Sequence, residues 1–411
     1  MEAISHLTVG LEVLTTLPDG SERHQHELAV QITLGQALTV TKGYAAPEVG
    51  HTYARARELC QQMGETPQLF PVLRGLWNFY LIRRELRTAR ELAEQLLTLA
   101  QRAQDPALLQ QAHSALAGAL VHLGAFSATH AHLQQGLALY DPQQHRGLAF
   151  RLGYDLGVFF LAYMTRPLWL LGYPDQALQR SHEALTLAQD LAHPFSLAYA
   201  LNSATVVHQF RREGQATQAR AEVLHALAGE QGFALWLALG TVLRGWALAE
   251  QGQSNAGVLQ MREGMAAYRA TGAEVDRPYL LTLLAEAYGQ GKRYDEGLAM
   301  LEEARALTDH HASVIWEAEI HRLKGALLLA RSAENQVEAE ACFHGALAIA
   351  RRQQAKSLEL RAAMSLARLW QQQGKRTEAH ELLAPIYGWF TEGFDTADLQ
   401  EAKALLEELG G

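Results

Sequence analysis

Small residues recur along the chain at a long and nearly constant spacing. A tight-turn segment is followed by a small side chain, a large one four residues later, and a small or apolar one seven residues later. The first position falls at Val49, Ala89, Thr129, Ala177, Ala219, Gly257, Gly297, Ala339 and Ala379, in steps of 40, 40, 48, 42, 38, 40, 42 and 40. The position seven on reads Ala56, Leu96, Gly136, Ala184, Ala226, Gly264, Ala304, Ala346 and Ile386. Residues seven apart share one helix face, and small side chains there let a neighbouring helix approach closely. Upstream of most of these positions, an apolar-periodic stretch ends at a turn glycine: Gly43, Gly124, Gly172, Gly214, Gly252, Gly291 or Gly374. Glycine just past a helix end accepts the left-handed conformation that closes it. Each unit therefore predicts a helix A, a tight turn, a helix B and a connector. Connectors carry breakers, as in PDGSE (18–22), YDPQQ (140–144) and AHP (192–194), and the 48-residue step places its extra length around 142–153. No period-two pattern persists, so no strand is expected.

The ends differ from the middle. Met1 to Leu14 fits a lone helix B, with Ala3 and Gly10 holding the seven-residue spacing. Residues 1–24 are thus expected to be the orphan helix of a truncated upstream repeat plus its connector, and 25–391 the repeat array. Residues 392–411 form a capping helix, with TADLQEAKALLEEL (396–409) amphipathic and its acids on the outer face. The expected fold is all-α: a right-handed superhelical solenoid of about nine helix pairs, some 20 helices in all.

Composition narrows the function classes. Apolar residues at 48% and charged residues at 19% suit a folded, water-facing chain and exclude wholesale disorder. A net charge of −9 is the wrong sign for a nucleic-acid or anionic-membrane surface. The most apolar stretch, Val158 to Tyr173, is broken by Arg166 and Pro167 and falls short of the roughly 20 residues a span needs. It is read as a buried helix. Cys60 and Cys342 stand far apart in helical contexts, which suits a reducing, cytoplasmic compartment without a disulfide. No signal peptide is expected, since Met1 leads straight into a mixed helix.

These spacings resemble the tetratricopeptide repeat (TPR), with a large–small pair in helix A and small residues in helix B. LWLLGYPDQALQRSHEAL (168–185) and LLAEAYGQGKRYDEGLAMLEEA (283–304) match that pattern well. The period near 40 exceeds the usual 34 of that family, implying the long-helix variant found in maltose-regulator-type activators. Further segments are TKGYAAPEV (41–49), GLWNFYLIRRELRTARELAEQLL (75–97), HQFRREGQ (208–215), RGWALAEQG (244–252) and EGFDTADLQEAKALLEEL (392–409). They resemble the C-terminal region of bacterial regulators that join a class III adenylate/guanylate cyclase to a predicted ATPase. The resemblance implies a sensing and interaction module; neither the cyclase nor the ATPase part is present in the sequence.

No catalytic motif stands out, so the chain is read as a non-enzyme with no cofactor. Gly291-Lys292 and Gly374-Lys375 lack the rest of a phosphate-binding loop, and no strand precedes Gly289 and Gly291 as a dinucleotide site requires. Among 18 histidines there is no H-E-x-x-H, and no C-x-x-C accompanies them. His24, His26, His310 and His311 are read as solvated connector residues. No G-x-S-x-G elbow appears.

A ligand would meet the A helices. In the family, the residue after the small position of helix A faces the groove, a row that here reads Asn78, Gly118, Arg166, His208, Trp246, Glu286, Ala326 and Arg368. Its middle is cationic and aromatic, with Tyr163, Trp169, Arg211 and Arg212 close by. Such a groove favours an acidic or aromatic partner. Tyr163, Trp169 and Trp246 are equally suited to inter-repeat core. Arg74 and Asn78, one turn apart, resemble the basic–Asn pairing with which some tetratricopeptide domains hold a peptide carboxylate. The expected partner is a protein, a peptide or another domain of a parent protein, with a small effector as the alternative. No nucleic acid and no membrane is expected.

Overall fold

The computed structural model describes residues 2–64, 66–142, 149, 153–311 and 314–410. Among these it contains twenty α-helices, one short 3-10 turn and no strand. A first helix, α1 (Glu2–Thr15), precedes nine pairs. The first pairs are α2 (Ser21–Lys42) with α3 (Pro47–Met63), α4 (Leu69–Ile82) with α5 (Leu86–Ala103), and α6 (Pro106–His122) with α7 (Phe126–Ala138). Next come α8 (Leu156–Leu170) with α9 (Pro174–Leu191), α10 (Pro194–Phe210) with α11 (Gly214–Gln231), and α12 (Ala234–Glu250) with α13 (Ser254–Ala270). The last pairs are α14 (Arg277–Gln290) with α15 (Tyr294–His311), α16 (Glu317–Arg331) with α17 (Gln336–Arg352), and α18 (Lys356–Gln372) with α19 (Arg376–Tyr387). The capping helix is α20 (Ala397–Gly410). Packing gathers the chain into two compact units: unit 1 is Met1–Ala119 with Tyr268–Val275, and unit 2 is Leu120–Ala267 with Asp276–Gly411.

The A-to-B turn is one motif repeated. The N–H groups of Glu85, Ala125, Tyr173, Glu213, Gln253, Arg293 and Lys375 each donate to the carbonyl five residues back, at 2.9–3.0 Å. This is the closure that follows a left-handed residue at a helix end. Gly124, Gly172, Gly252 and Gly374 supply that residue, with φ between 74° and 94°. At the turns assigned to Gly214 and Gly291 it is instead Arg212 (φ 61°) and Lys292 (φ 57°), and Arg84 (φ 65°) does the same after α4. Composition pointed to glycine there, but the hydrogen-bond pattern, not the residue type, defines the turn.

The small-residue register holds with one correction. Val49, Ala89, Thr129, Ala177, Ala339 and Ala379 are at most 1% exposed, as are Ala56, Leu96, Ala184, Ala304 and Ala346. Ala219 and Ala226, however, are exposed, and their places are taken by Thr217 and Leu224, both at 0%. Moving the contact to Thr217 makes both adjoining steps 40 residues, from Ala177 to Thr217 and from Thr217 to Gly257. Thr217 tolerates burial because its hydroxyl donates to the Glu213 carbonyl at 2.9 Å, as Thr129 does to Ala125. A buried hydroxyl satisfied by its own helix packs like a small apolar group. Other close approaches are made over glycine: in unit 1 the Tyr53 ring lies between Gly35 and Gly75.

Other boundaries shift. α2 begins at Ser21, so His24 and His26 are helical, not connector residues, and His24 Nε2 lies 2.9 Å from Asp19. The side chains of His310 and His311, and most of 142–153, lie outside the described residues. α8 is the buried helix expected at Val158–Tyr173, with Pro167 inside it.

Candidate functional site: the inner face of unit 2

The A helices of unit 2, α8, α10, α12, α14, α16 and α18, turn one face toward a shared interior. Aromatic side chains fill much of it. Trp169 stacks on Phe210 at 4.5 Å, Phe210 meets Tyr279 edge-on at 6.1 Å, and Tyr279 stacks on Trp316 at 4.9 Å. Trp246 is 1% exposed, and its indole N–H donates to Glu286 at 2.8 Å, joining two neighbours of the predicted row. Trp169 and Trp246 are thus packing residues of this interior. Burial pushes the Glu286 carboxyl above its ordinary range, against the opposing pull of Trp246, Arg322 and Arg361.

The basic residues meet acids supplied by the chain itself. Arg211, whose side chain is 2% exposed, donates to Glu213 at 2.7 Å, Asp395 at 2.7 Å and Asp175 at 3.1 Å. Arg212 reaches Glu401 at 2.7 Å and Asp398 at 3.4 Å. Arg361 donates to Asp398 at 2.7 Å and to the Phe210 carbonyl at 2.8 Å, and its guanidinium covers the Trp169 ring. Glu392 accepts from the backbone N–H groups of Asp175 and Gln176, capping α9, while Gly393 N–H donates back to Asp175. His208 Nδ1 is paired with Glu213 at 2.5 Å. The segment 392–401 therefore lies against the turns after α8 and α10. Asp398 and Glu401, expected on the outer face of the cap, point into this seam.

Arg166 stands apart from that seam. It pairs with Asp276 at 3.4 Å, and the two side chains keep 17% and 20% exposure. Burial works against its charge, but Asp276 and the tyrosines Tyr163, Tyr279 and Tyr199 hold the guanidinium above its ordinary value. Around it, Phe159 stacks on Tyr163 at 4.9 Å and lies 5.7 Å from both Tyr154 and Tyr199. Tyr163 and Tyr199 are half-buried, and burial raises both phenols so that they stay protonated donors. Trp236, edge-on to Tyr199 at 5.3 Å, has a buried indole N–H with no partner. The corner is thus an arginine with one long ion pair, ringed by phenols and an unsatisfied donor.

Of the predicted residues, the structure brings Arg166 and Tyr163 together here, and places His208 and Arg211 in the seam. Arg74 and Asn78 belong to unit 1. Arg74 is 7% exposed with its guanidinium 4.2 Å over Trp77, and Asn78 is half-buried. Sequence reasoning missed Tyr199, Trp236 and Asp276, and all the seam acids. The aromatics lie on A helices and carried a findable signal; Asp276 lies in a connector and carried none.

No protein-family model matches the chain. It is 25% identical over 384 residues to the uncharacterized protein R02095 of Rhizobium meliloti (strain 1021), covering 90% of this chain and 36% of that protein. The chain thus spans about a third of that relative's length. Among solved structures, a Rap protein complexed with competence and sporulation factor superposes with a TM-score of 0.60 at 11% identity, covering 95% of this chain and 100% of that one. A signal-transduction ATPase with a tetratricopeptide repeat sensor from Pyrococcus horikoshii gives a TM-score of 0.47 at 15% identity, covering 94% of this chain and 54% of that one. The fold is that of tetratricopeptide-like helix-pair repeats. Among the described residues no helix is long and apolar enough to cross a membrane.

Proposed function

We propose that the chain is a non-catalytic interaction module, the regulatory region of a longer cytoplasmic signalling protein. It engages an acidic or aromatic segment of a partner, or of its own parent, at the Arg166 corner. The observation that supports this most is the state of Arg166: one ion pair at 3.4 Å, partial exposure, and a surround of phenols. A carboxylate offered there would gain charge-assisted hydrogen bonds that Asp276 alone does not supply. The Rap protein that shares the fold is itself complexed with a factor, which suits helix-pair repeats as ligand holders. The parent is proposed, on the sequence resemblance, to be a cyclase–ATPase regulator, and the relative of which this chain covers 36% is long enough to hold further domains.

A small effector is the second reading. Favouring it, the basic residues at 211 and 212 are already engaged by the chain's own carboxylates, whereas Arg166 keeps 17% exposure and a longer pair. Titration of the full chain with acidic peptides containing tyrosine or phenylalanine, followed by calorimetry, separates the readings. Arg166→Ala should weaken peptide binding by about 2 kcal/mol or more, the loss expected for a partly desolvated charge pair. Equal binding by the variant and the parent would remove this corner from the interface.

A further inference from the structure

A cavity of about 660 Å³ lies within unit 2, lined by none of the residues of the Arg166 corner. Its walls come from α7 (Ser127, His130, Gln134), the turn after α8 (Leu171, Tyr173), the end of α17 (Arg351), the turn that follows (Gln354), the start of α18 (Lys356), and Trp389. Its volume falls in the range of small-molecule sites, roughly 300–1,000 Å³.

Three features give it a chemistry. First, Arg351 and Lys356 each pair at 2.8 Å with the same carboxylate, Glu359, which is 5% exposed, while the two cations keep 54% and 28% exposure. One carboxylate against two cations leaves an excess positive charge at the lining. Second, Tyr173 and Trp389 lie with ring centroids 5.6 Å apart, and Trp389 is 37% exposed. Third, His130 Nε2 is buried without a hydrogen-bond partner. Burial, with Arg180 nearby, holds this imidazole below its ordinary value, so it sits in the wall as a neutral ring.

We propose that this cavity binds a small anion bearing a flat ring. The anion lies at Arg351 and Lys356, and the ring against Trp389 and Tyr173. The walls are drawn from the early and late parts of unit 2. Across them Ser127 Oγ donates to Gln354 at 3.1 Å, Gln353 donates to the Val314 carbonyl at 2.6 Å, and Val314 N–H donates to the His122 carbonyl at 3.0 Å. An occupant here ties α7 to α18 and stabilises the seam along which unit 2 closes on itself.

The test uses the full chain with indole-3-acetate and phenyl phosphate as probes, and with indole, acetate and inorganic phosphate as their separated halves. Calorimetry should show saturable binding of the two ring-bearing anions and much weaker binding of every half. The probes should also raise the melting temperature, since they bind only the folded state. Arg351→Gln changes a half-exposed side chain and should fold normally, yet lower probe affinity on the order of tenfold, the loss of one charge-assisted contact. Trp389→Ala should lower it comparably. No saturable binding of either probe at millimolar concentration would overturn the proposal. So would binding that Arg351→Gln and Trp389→Ala both leave at the parental value, or indole binding as tightly as indole-3-acetate.

Discussion

Replacing Arg211 with alanine tests whether the seam of unit 2 is a structural closure. The guanidinium is 2% exposed and meets three carboxylates, at Glu213, Asp395 and Asp175. Those partners are unequal. Asp175 and Asp395 are 51% and 70% exposed and regain water when the arginine goes, so each contributes no more than a surface pair, up to about 1 kcal/mol. Glu213, at 34%, keeps His208 as a partner. The cost of a fully buried broken pair, about 3–5 kcal/mol, is therefore an upper bound. The expected loss is about 2–3 kcal/mol, from charge-assisted bonds and the emptied space of the stem. Lysine at 211 should recover only part of it, because one ammonium cannot serve three carboxylates in a planar fork. Urea unfolding gives the magnitude, and amide hydrogen exchange gives the location: residues 393–405 should lose protection before the helices of the early repeats. High salt should produce a milder version of the same change, since two of the three partners are exposed to screening. An Arg211→Ala protein within about 0.5 kcal/mol of the parent, with unchanged exchange in that segment, would refute the closure.

Two further substitutions probe the packing and the buried charge. Gly75→Ala gains about 1 kcal/mol of helix propensity at an ordinary site, but here the new Cβ would lie 2.4 Å from the Tyr53 ring. A net destabilisation of about 1–3 kcal/mol is expected from overpacking, measured by thermal unfolding, and a more stable variant would disprove the close approach. Glu286, raised by burial among Trp246, Arg322, Glu319 and Arg361, favours the folded state most at pH below its unfolded value, and that contribution fades as pH rises through its folded value. Glu286→Gln should therefore gain stability relative to the parent as pH rises above the ordinary carboxylate range, and parallel stability curves would show that the group does not titrate as described.

The periodic part of the molecule was legible because helix packing is local. Thr217 marks the limit of that reading: a rule that favours alanine passed over a threonine whose hydroxyl is satisfied by Glu213 within its own helix. The same holds for Arg212, which takes a left-handed turn position that composition assigns to glycine. Its strained backbone is held where its guanidinium meets Asp398 and Glu401, and strain of this kind persists only where surrounding contacts fix it. The site was less legible for a different reason. The cations at the ends of the A helices called for acids, but the spacing is blind to which acids fill that place. In unit 2 the acids at 395, 398 and 401 lie nearly 190 residues along the chain from the arginines at 211 and 212. That pairing depends on the small rotation between successive helix pairs, summed over several repeats, and no local pattern encodes the sum. The consequence is a competition. Any acidic partner that sought Arg211 or Arg212 would have to displace carboxylates already held at high effective concentration by the same chain. Arg166, paired once and loosely, faces no such competitor beyond Asp276, and for that reason an external ligand is expected there and not along the rest of the row.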